Sequence, residues 1–181
     1  LPMPLLKKSS DAAKKPADAK PVAENPAPKK GMAPINLIRG MRDILPADQG
    51  VWKRIYEVYN RVAEAYGYER IDTPLIEEQS LFVRGVGKVT DIVEKELFQW
   101  ETPGGETVAL RPEGTASVVR AYVQHGMLNL PQPVKMFYTG PMFRYERPQA
   151  GRFRQHFQGG FECIGEADPV VDAQLMIISW N

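Results

Sequence analysis

Apolar residues recur at spacings of three and four between Pro46 and Tyr66, where Val51, Ile55, Val58, Tyr59, Val62 and Tyr66 mark one face of a predicted helix. Gly67 follows at the point where a chain can leave a helix in the left-handed conformation, so the helix is expected to stop there. The period then changes. A short β-prone run around Ile71 and Thr73 ends at Pro74, a residue confined to strand ends and sheet edges because it has no N–H to donate. Two further short strands are predicted over residues 96–100 and 107–110, joined by Pro103, Gly104 and Gly105, which makes a hairpin the natural reading. A helix starts near Thr115, with Ala116, Val119, Tyr122 and Val123 on its apolar face, and closes at Gly126. Residues 134–145 and 152–164 are rich in aromatic and β-branched side chains and read as a long antiparallel hairpin. Asp168 and Pro169 suit the N-cap and first position of a last helix carrying Val171, Leu175 and Ile178. Strands outnumber the helices that cover them. The expected class is α+β, an antiparallel β-sheet flanked by helices.

Composition divides the chain. Residues 1–33 hold seven lysines against three acids, a balance of +4, and almost no large apolar residue after Leu6. Such a segment cannot bury enough surface to offset the entropy of ordering it, and it is expected to be a disordered Pro/Ala/Lys-rich tail. Residues 34–181 carry 16 basic and 19 acidic side chains, a balance of −3, and form the expected folded domain. An acidic body is not a surface that binds nucleic acid by charge alone. A lone cysteine, Cys163, excludes an intramolecular disulfide and makes a cytoplasmic location the expectation. No apolar run approaches the roughly 20 residues that span a bilayer, and no signal-peptide core is present, so no membrane partner is expected.

Three places can carry chemistry. Arg144, Arg147, Arg152 and Arg154 lie within eleven residues on the predicted hairpin, and guanidinium forks suit phosphate oxygens and carboxylates. Arg144 stands between Phe143 and Tyr145 on a strand, where an unpaired charge is costly, so it needs an anionic partner. Strand parity puts Gln158, Gly160 and Glu162 on one face. There Gly160 leaves a gap between an amide and a carboxylate, either a seat for a small polar cation or an ordinary exposed face with a structural glycine. At residues 110–115 a strand end turns into a helix start. Thr115 is placed to cap that helix, and Glu113 to sit exposed or to bind a ligand ammonium. Gly85-Val86-Gly87-Lys88 fails as a phosphate loop, because Val89 stands where Ser or Thr is required. His125, His156 and Cys163 have no spacing that supports a zinc site, so no protein-held metal is expected.

Taken in order, four blocks resemble histidyl-tRNA synthetase of the class II aminoacyl-tRNA synthetases. They are Arg39-Gly40-Met41-Arg42-Asp43-Ile44-Leu45-Pro46, Val89-Thr90-Asp91-Ile92-Val93-Glu94-Lys95-Glu96, Leu110-Arg111-Pro112-Glu113-Gly114-Thr115-Ala116 and Gly140-Pro141-Met142-Phe143-Arg144. The last runs on into Glu146-Arg147-Pro148 and Gly151-Arg152. The resemblance implies the N-terminal part of a class II catalytic core, incomplete here, in which the long helix and the Pro74 strand form motif 1, a homodimer interface. It implies activation of histidine by ATP with Mg²⁺ to histidyl-adenylate and transfer to tRNA(His), with this stretch inactive by itself. By the same resemblance the catalytic Arg144 would hold the α-phosphate, Glu146 would read the adenine amino group, and Arg152 would lie near the outer phosphates. Glu113, Thr115 and Gln158 would receive the histidine ammonium, and Glu162 the imidazole. His156 stands where the family usually has a Phe that stacks on adenine, and Phe157 where it has a His. The family's motif 3, histidine-specific segment and anticodon-binding domain are expected beyond Asn181. The alternative is the related regulatory subunit of ATP phosphoribosyltransferase, which binds histidine without aminoacylating.

Overall fold

Gly67, at φ +73°, ends the first helix where the spacing predicts. The computed structural model describes residues 34–86, 96–147, 149 and 151–180. The tail expected over residues 1–33 and most of the block around Val89 to Lys95 lie outside the described residues. Leu1–Asn36 and Leu37–Asn181 are separate units, and the second carries the fold below. A 3-10 turn, Pro46–Asp48, leads into α1, Gln49–Ala65. Tyr59, Val62 and Tyr66 of the predicted stripe face the protein, joined by Trp52, Tyr56 and Ala63, while the first turns of the stripe do not. Val51 and Ile55 are 67% and 40% exposed.

Two three-stranded sheets follow, β1-β5-β6 and β2-β4-β3. In the first, β5 (Val134–Phe143) and β6 (Gln155–Ile164) pair antiparallel over their whole length, from Val134 opposite Ile164 to Phe143 opposite Gln155. β1 is shorter and earlier than expected, Glu69–Arg70, and runs parallel to β5, so the antiparallel expectation holds for the other pairs and fails for this one. Ile71 adds one more rung by donating to the Phe137 carbonyl at 2.9 Å before Pro74 ends the run. In the second sheet the predicted hairpin forms, β3 (Gln99–Glu101) with β4 (Thr107–Leu110). Its third strand, β2 (Ile76–Glu78), and the helix after it, α2 (Gln79–Val86), have no counterpart in the sequence reading. Three residues are too few to show a period. α3 (Thr115–Gln124) and α4 (Val170–Trp180) complete the fold, with Asp168 Oδ1 accepting from the Val170 amide at 2.9 Å as the predicted cap.

Because side chains alternate across a strand, the β5–β6 ribbon has two faces. One carries Phe137, Phe157, Gly159 and Phe161. Against it lies α1, with Trp52 4.4 Å from Phe157 and Tyr59 stacked 5.9 Å from Phe161, while Ala63, Tyr68 and Ile178 close the core. The other face carries Met136, Tyr138, Gly140 and Met142 beside His156, Gln158, Gly160 and Glu162, and packs Val118 of α3 against Met136, Tyr138 and Met142.

The glycines of the ribbon exist for these contacts. A Cβ on Gly159 would lie 2.3 Å from the Tyr59 ring, which is held by its own packing. Gly159→Ala should therefore cost about 1–3 kcal/mol by overpacking, a fall in Tm of roughly 3–10 °C for a domain of this size. Gly50→Ala, on α1 with nothing within 4 Å of the added carbon, should leave Tm unchanged or raise it. A thermal melt of the two variants checks this; equal melting points would contradict the packing.

Candidate functional site

The second face of the ribbon meets the start of α3, and Glu113 organises the junction. Its carboxylate accepts from the amides of Thr115 at 2.6 Å and Ala116 at 2.9 Å. A carboxylate there satisfies two orphan donors and complements the helix dipole. Glu113 is therefore the cap that the sequence reading gave to Thr115. Freed from that task, the Thr115 hydroxyl reaches across to the sheet and donates to Glu162 Oε1 at 2.7 Å. A cleft of about 740 Å³ opens beside Glu113 and Thr115, walled by Leu81, Val119 and Val123.

The gap above Gly160 is not open. Tyr138, directly opposite in the ladder, lays its ring over the glycine, and a Cβ on Gly160 would lie 2.4 Å from that ring. Gly114 approaches the same ring from the α3 side, where a Cβ would stand 2.2 Å away. Tyr138 is thus a wedge between sheet and helix start, and of the two readings left open at Gly160 the contact supports a structural glycine, made so by the ring that fills the gap. Gln158 Nε2 donates to the Tyr138 hydroxyl at 3.3 Å, and that hydroxyl lies near enough to the Glu162 carboxylate for each to shift the other's pKa. Gln158 and Tyr138 thus stand together beside Glu162, which accepts from Thr115. The sequence reading did not single out Tyr138. An aromatic residue facing a glycine across an antiparallel pair is a usable signal only once the register is known.

Burial sets the protonation of these groups. It pushes the Tyr138 phenol up to about 12, and it raises the Glu162 carboxyl above the ordinary glutamate value, Glu113 nearby adding to the rise and the Thr115 hydrogen bond and the Tyr138 hydroxyl opposing it. His156 lies on the same face, opposite Met142; burial and then the Arg144 charge lower its pKa, so the ring is neutral at pH 7. Phe157 faces the other way, against Trp52.

Arg144 follows β5 directly. Its amide donates to the Arg154 carbonyl at 2.8 Å, and its Nε to the Pro112 carbonyl at 3.0 Å, which leaves much of the guanidinium fork unengaged. Glu146 is 8% exposed and pairs with Arg152, with Arg144 Nη1 4.0 Å from its other oxygen. The remaining guanidiniums of the cluster differ. Arg147 is exposed, and Arg154 is a structural pin: it lies 3.8 Å over the Tyr145 ring and ties Arg39 and Gly40 to the hairpin base. Among the described residues no group of three His, Cys, Asp or Glu could hold a metal ion, and the carboxylates of Glu113, Glu146 and Glu162 are already engaged.

One ribbon face thus brings together Gln158, Glu162 and His156 with Thr115 and Glu113 from the helix start, and Arg144, Glu146 and Arg152 stand at its open end. Solved structures that share this fold include histidyl-tRNA synthetases. A crystal structure of apo Staphylococcus aureus histidyl-tRNA synthetase superposes with TM-score 0.68 at 37% identity, over 81% of this chain and 33% of that one. An ATP phosphoribosyltransferase regulatory subunit/histidyl-tRNA synthetase from Bacillus halodurans gives 0.69 at 26% identity, over 82% and 38%. The chain belongs to the histidyl-tRNA synthetase family, whose model matches residues 40–180. Among curated relatives, the histidine–tRNA ligase of Dehalococcoides mccartyi is 53% identical over 143 residues and that of Geobacillus thermodenitrificans 52% over 144, in each case across 79% of this chain and 34% of the relative. The chain spans about a third of the length of these relatives. No helix among the described residues is long and apolar enough to cross a membrane.

The raised Glu162 pKa has a stability consequence whose sign is fixed. A carboxyl whose folded pKa is above its unfolded value favours folding when protonated; that contribution is complete below the ordinary glutamate value, about 4.3, and is lost as pH rises through the folded value. At neutral pH the ionised Glu162 is a burden on the fold. Glu162→Gln, which keeps an acceptor for Thr115, should raise Tm at pH 7 by roughly 1–3 °C, with the difference vanishing below about pH 4. Melting curves of both proteins between pH 3 and 8 test this; a less stable variant at pH 7 would contradict it.

Proposed function

We propose that this chain supplies the histidine- and ATP-binding part of a histidine–tRNA ligase, which activates histidine to histidyl-adenylate and transfers the histidyl group to tRNA(His). The observation that carries this reading is the pairing of two unlike sets at one ribbon end: a carboxylate–hydroxyl–amide group built on Glu162, and an Arg–Glu–Arg group at residues 144, 146 and 152. The first suits a small ligand with an ammonium and a ring N–H. Glu162 takes the imidazole, and Glu113, Thr115 and Gln158 the ammonium. The second suits a nucleotide: Glu146 takes the adenine amino group, Arg152 the outer phosphates, and the neutral, partly buried ring of His156 the adenine face.

In the activation step a histidine carboxylate oxygen bonds to the α-phosphorus and pyrophosphate leaves. Arg144 is the catalytic residue, because negative charge grows on the α-phosphate oxygens and a fixed donor there is worth most in the transition state. Mg²⁺ bound with ATP would neutralise phosphate charge, and the described residues offer it no cage of their own. The exposed apolar residues Val51 and Ile55 of α1 and Leu75 and Ile76 after Pro74 support a homodimer through this face. A cytoplasmic location accompanies the ligase reading. Because the chain spans about a third of the length of its curated relatives, the stretch by itself is not expected to form the adenylate.

A second reading has a specific observation behind it, the likeness to the Bacillus halodurans protein described as an ATP phosphoribosyltransferase regulatory subunit/histidyl-tRNA synthetase. A regulator would bind histidine without needing the nucleotide group. Histidine-dependent ATP–pyrophosphate exchange by the full-length protein separates the two. The ligase gives exchange, and Arg144→Ala lowers its turnover about a hundredfold or more with a smaller change in histidine KM. Histidine binding without exchange would establish the regulator, and an equal loss of turnover and histidine affinity would mean that the site had collapsed.

A further inference from the structure

Arg111 is 6% exposed, the most deeply buried charge among the described residues, and none of the roles above uses it. A buried cation is costly unless it is fully hydrogen-bonded. Burial indeed lowers the Arg111 pKa, and only the more distant charge of Asp72, then Tyr138 and Glu77, oppose it. Its hydrogen bonds go to neutral oxygens: Nε donates to the Pro141 carbonyl at 3.1 Å, and Nη1 to the carbonyl and hydroxyl of Thr73, both at 3.0 Å.

The backbone explains the arrangement. Odd-numbered residues of β5 turn their main-chain groups toward β1, as the bonds of Ile71 to Phe137 and of Phe143 to Arg111 show. β1 ends before it reaches Pro141, so that carbonyl has no strand amide to meet, while the missing proline N–H does no harm on an uncovered edge. Arg111 Nε supplies the donor that the absent strand would have supplied. Space for the fork comes from Gly140, where a Cβ would lie 2.6 Å from Nη2.

The same segment holds Arg144. The Arg111 carbonyl accepts from the Phe143 amide at 3.0 Å, and the next carbonyl, of the fully buried Pro112, accepts from Arg144 Nε at 3.0 Å. We propose that Arg111 is a positioning residue for Arg144: its fork clamps residues 111–112 against Pro141 and Thr73, and the clamped Pro112 carbonyl sets the plane of the Arg144 guanidinium. This rests on the ligase reading. It links the strand end at Thr73-Pro74, on the proposed dimer face, to the donor at the reacting phosphate.

The test is Arg111→Lys in the full-length protein, which keeps the charge and loses the planar fork. Turnover in histidine-dependent exchange should fall about tenfold or more, as for a small misplacement of a catalytic donor, while histidine KM stays within about threefold. In an Arg144→Ala background Arg111→Lys should cost less than about twofold, since it acts through the missing group. Additive losses, or a histidine KM that rises in step with the fall in turnover, would overturn the proposal and make Arg111 general support for the sheet. If Arg111→Lys shows no cooperative melt, Thr73→Val carries the same test by removing one acceptor and keeping the backbone. It should lower turnover about threefold with histidine KM unchanged, and unaltered turnover would sink the proposal. A wild-type protein without exchange would sink the ligase reading and this one with it, whereas an active wild type with an equally active Arg111→Lys would sink this one alone.

Discussion

Ten consecutive residue pairs between β5 and β6 hold the rest of the domain in place, because a strand has a period of two and a slip of one residue would exchange its faces. In the observed register Gly159 lies beneath Tyr59 and Gly160 beneath Tyr138, two adjacent glycines serving two aromatic rings on opposite sides. A slip of one residue would put a side chain under one of the two rings, Phe161 under Tyr138 in one direction or Gln158 under Tyr59 in the other. The register is thus fixed by packing on both faces at once, and the positions of Gln158, Glu162 and His156 beside the start of α3 follow from it.

The electrostatics of the second face depend on the same placement. Glu162 is half-buried beside Thr115 and Tyr138 at a cost that its hydrogen bond from Thr115 reduces without removing. Such a group is poised for a ligand that offers a further N–H, since the carboxylate gains more from a new partner in a desolvated site than in water. Glu146 is similarly committed to Arg152, and Arg111 to carbonyls.

Much of this was legible in the sequence. The hairpin at residues 134–164, the stop at Gly67, the Asp168 cap and the shared face of Gln158 and Glu162 all follow from period and turn chemistry, which are local. The parallel pairing of β1 and the short β2 did not, because neither leaves a periodic trace in so few residues. Val51 and Ile55 have helical spacing yet stay exposed, while Trp52 and Tyr56, one position along, face the sheet; a helix with apolar residues on two adjoining stripes does not declare which is buried. Glu113 and Thr115 can each cap a helix, and only the presence of Glu162 across the gap decides between them. Tyr138 and Arg111 were invisible as site residues, since what defines them is contact with glycines and carbonyls far away in the chain.

One face of the ribbon carries the proposed histidine site, and the other carries only packing. Histidine KM in the exchange reaction of the full-length protein, compared between Gly160→Ala and Gly159→Ala at a temperature where both are folded, tests it. Gly160→Ala must displace Tyr138 and with it the Glu162 and Gln158 contacts, so its histidine KM should rise by about tenfold or more, while Gly159→Ala should leave histidine KM near the wild-type value. Equal effects of the two neighbours, or a larger effect from Gly159→Ala, would contradict the assignment of the site to that face.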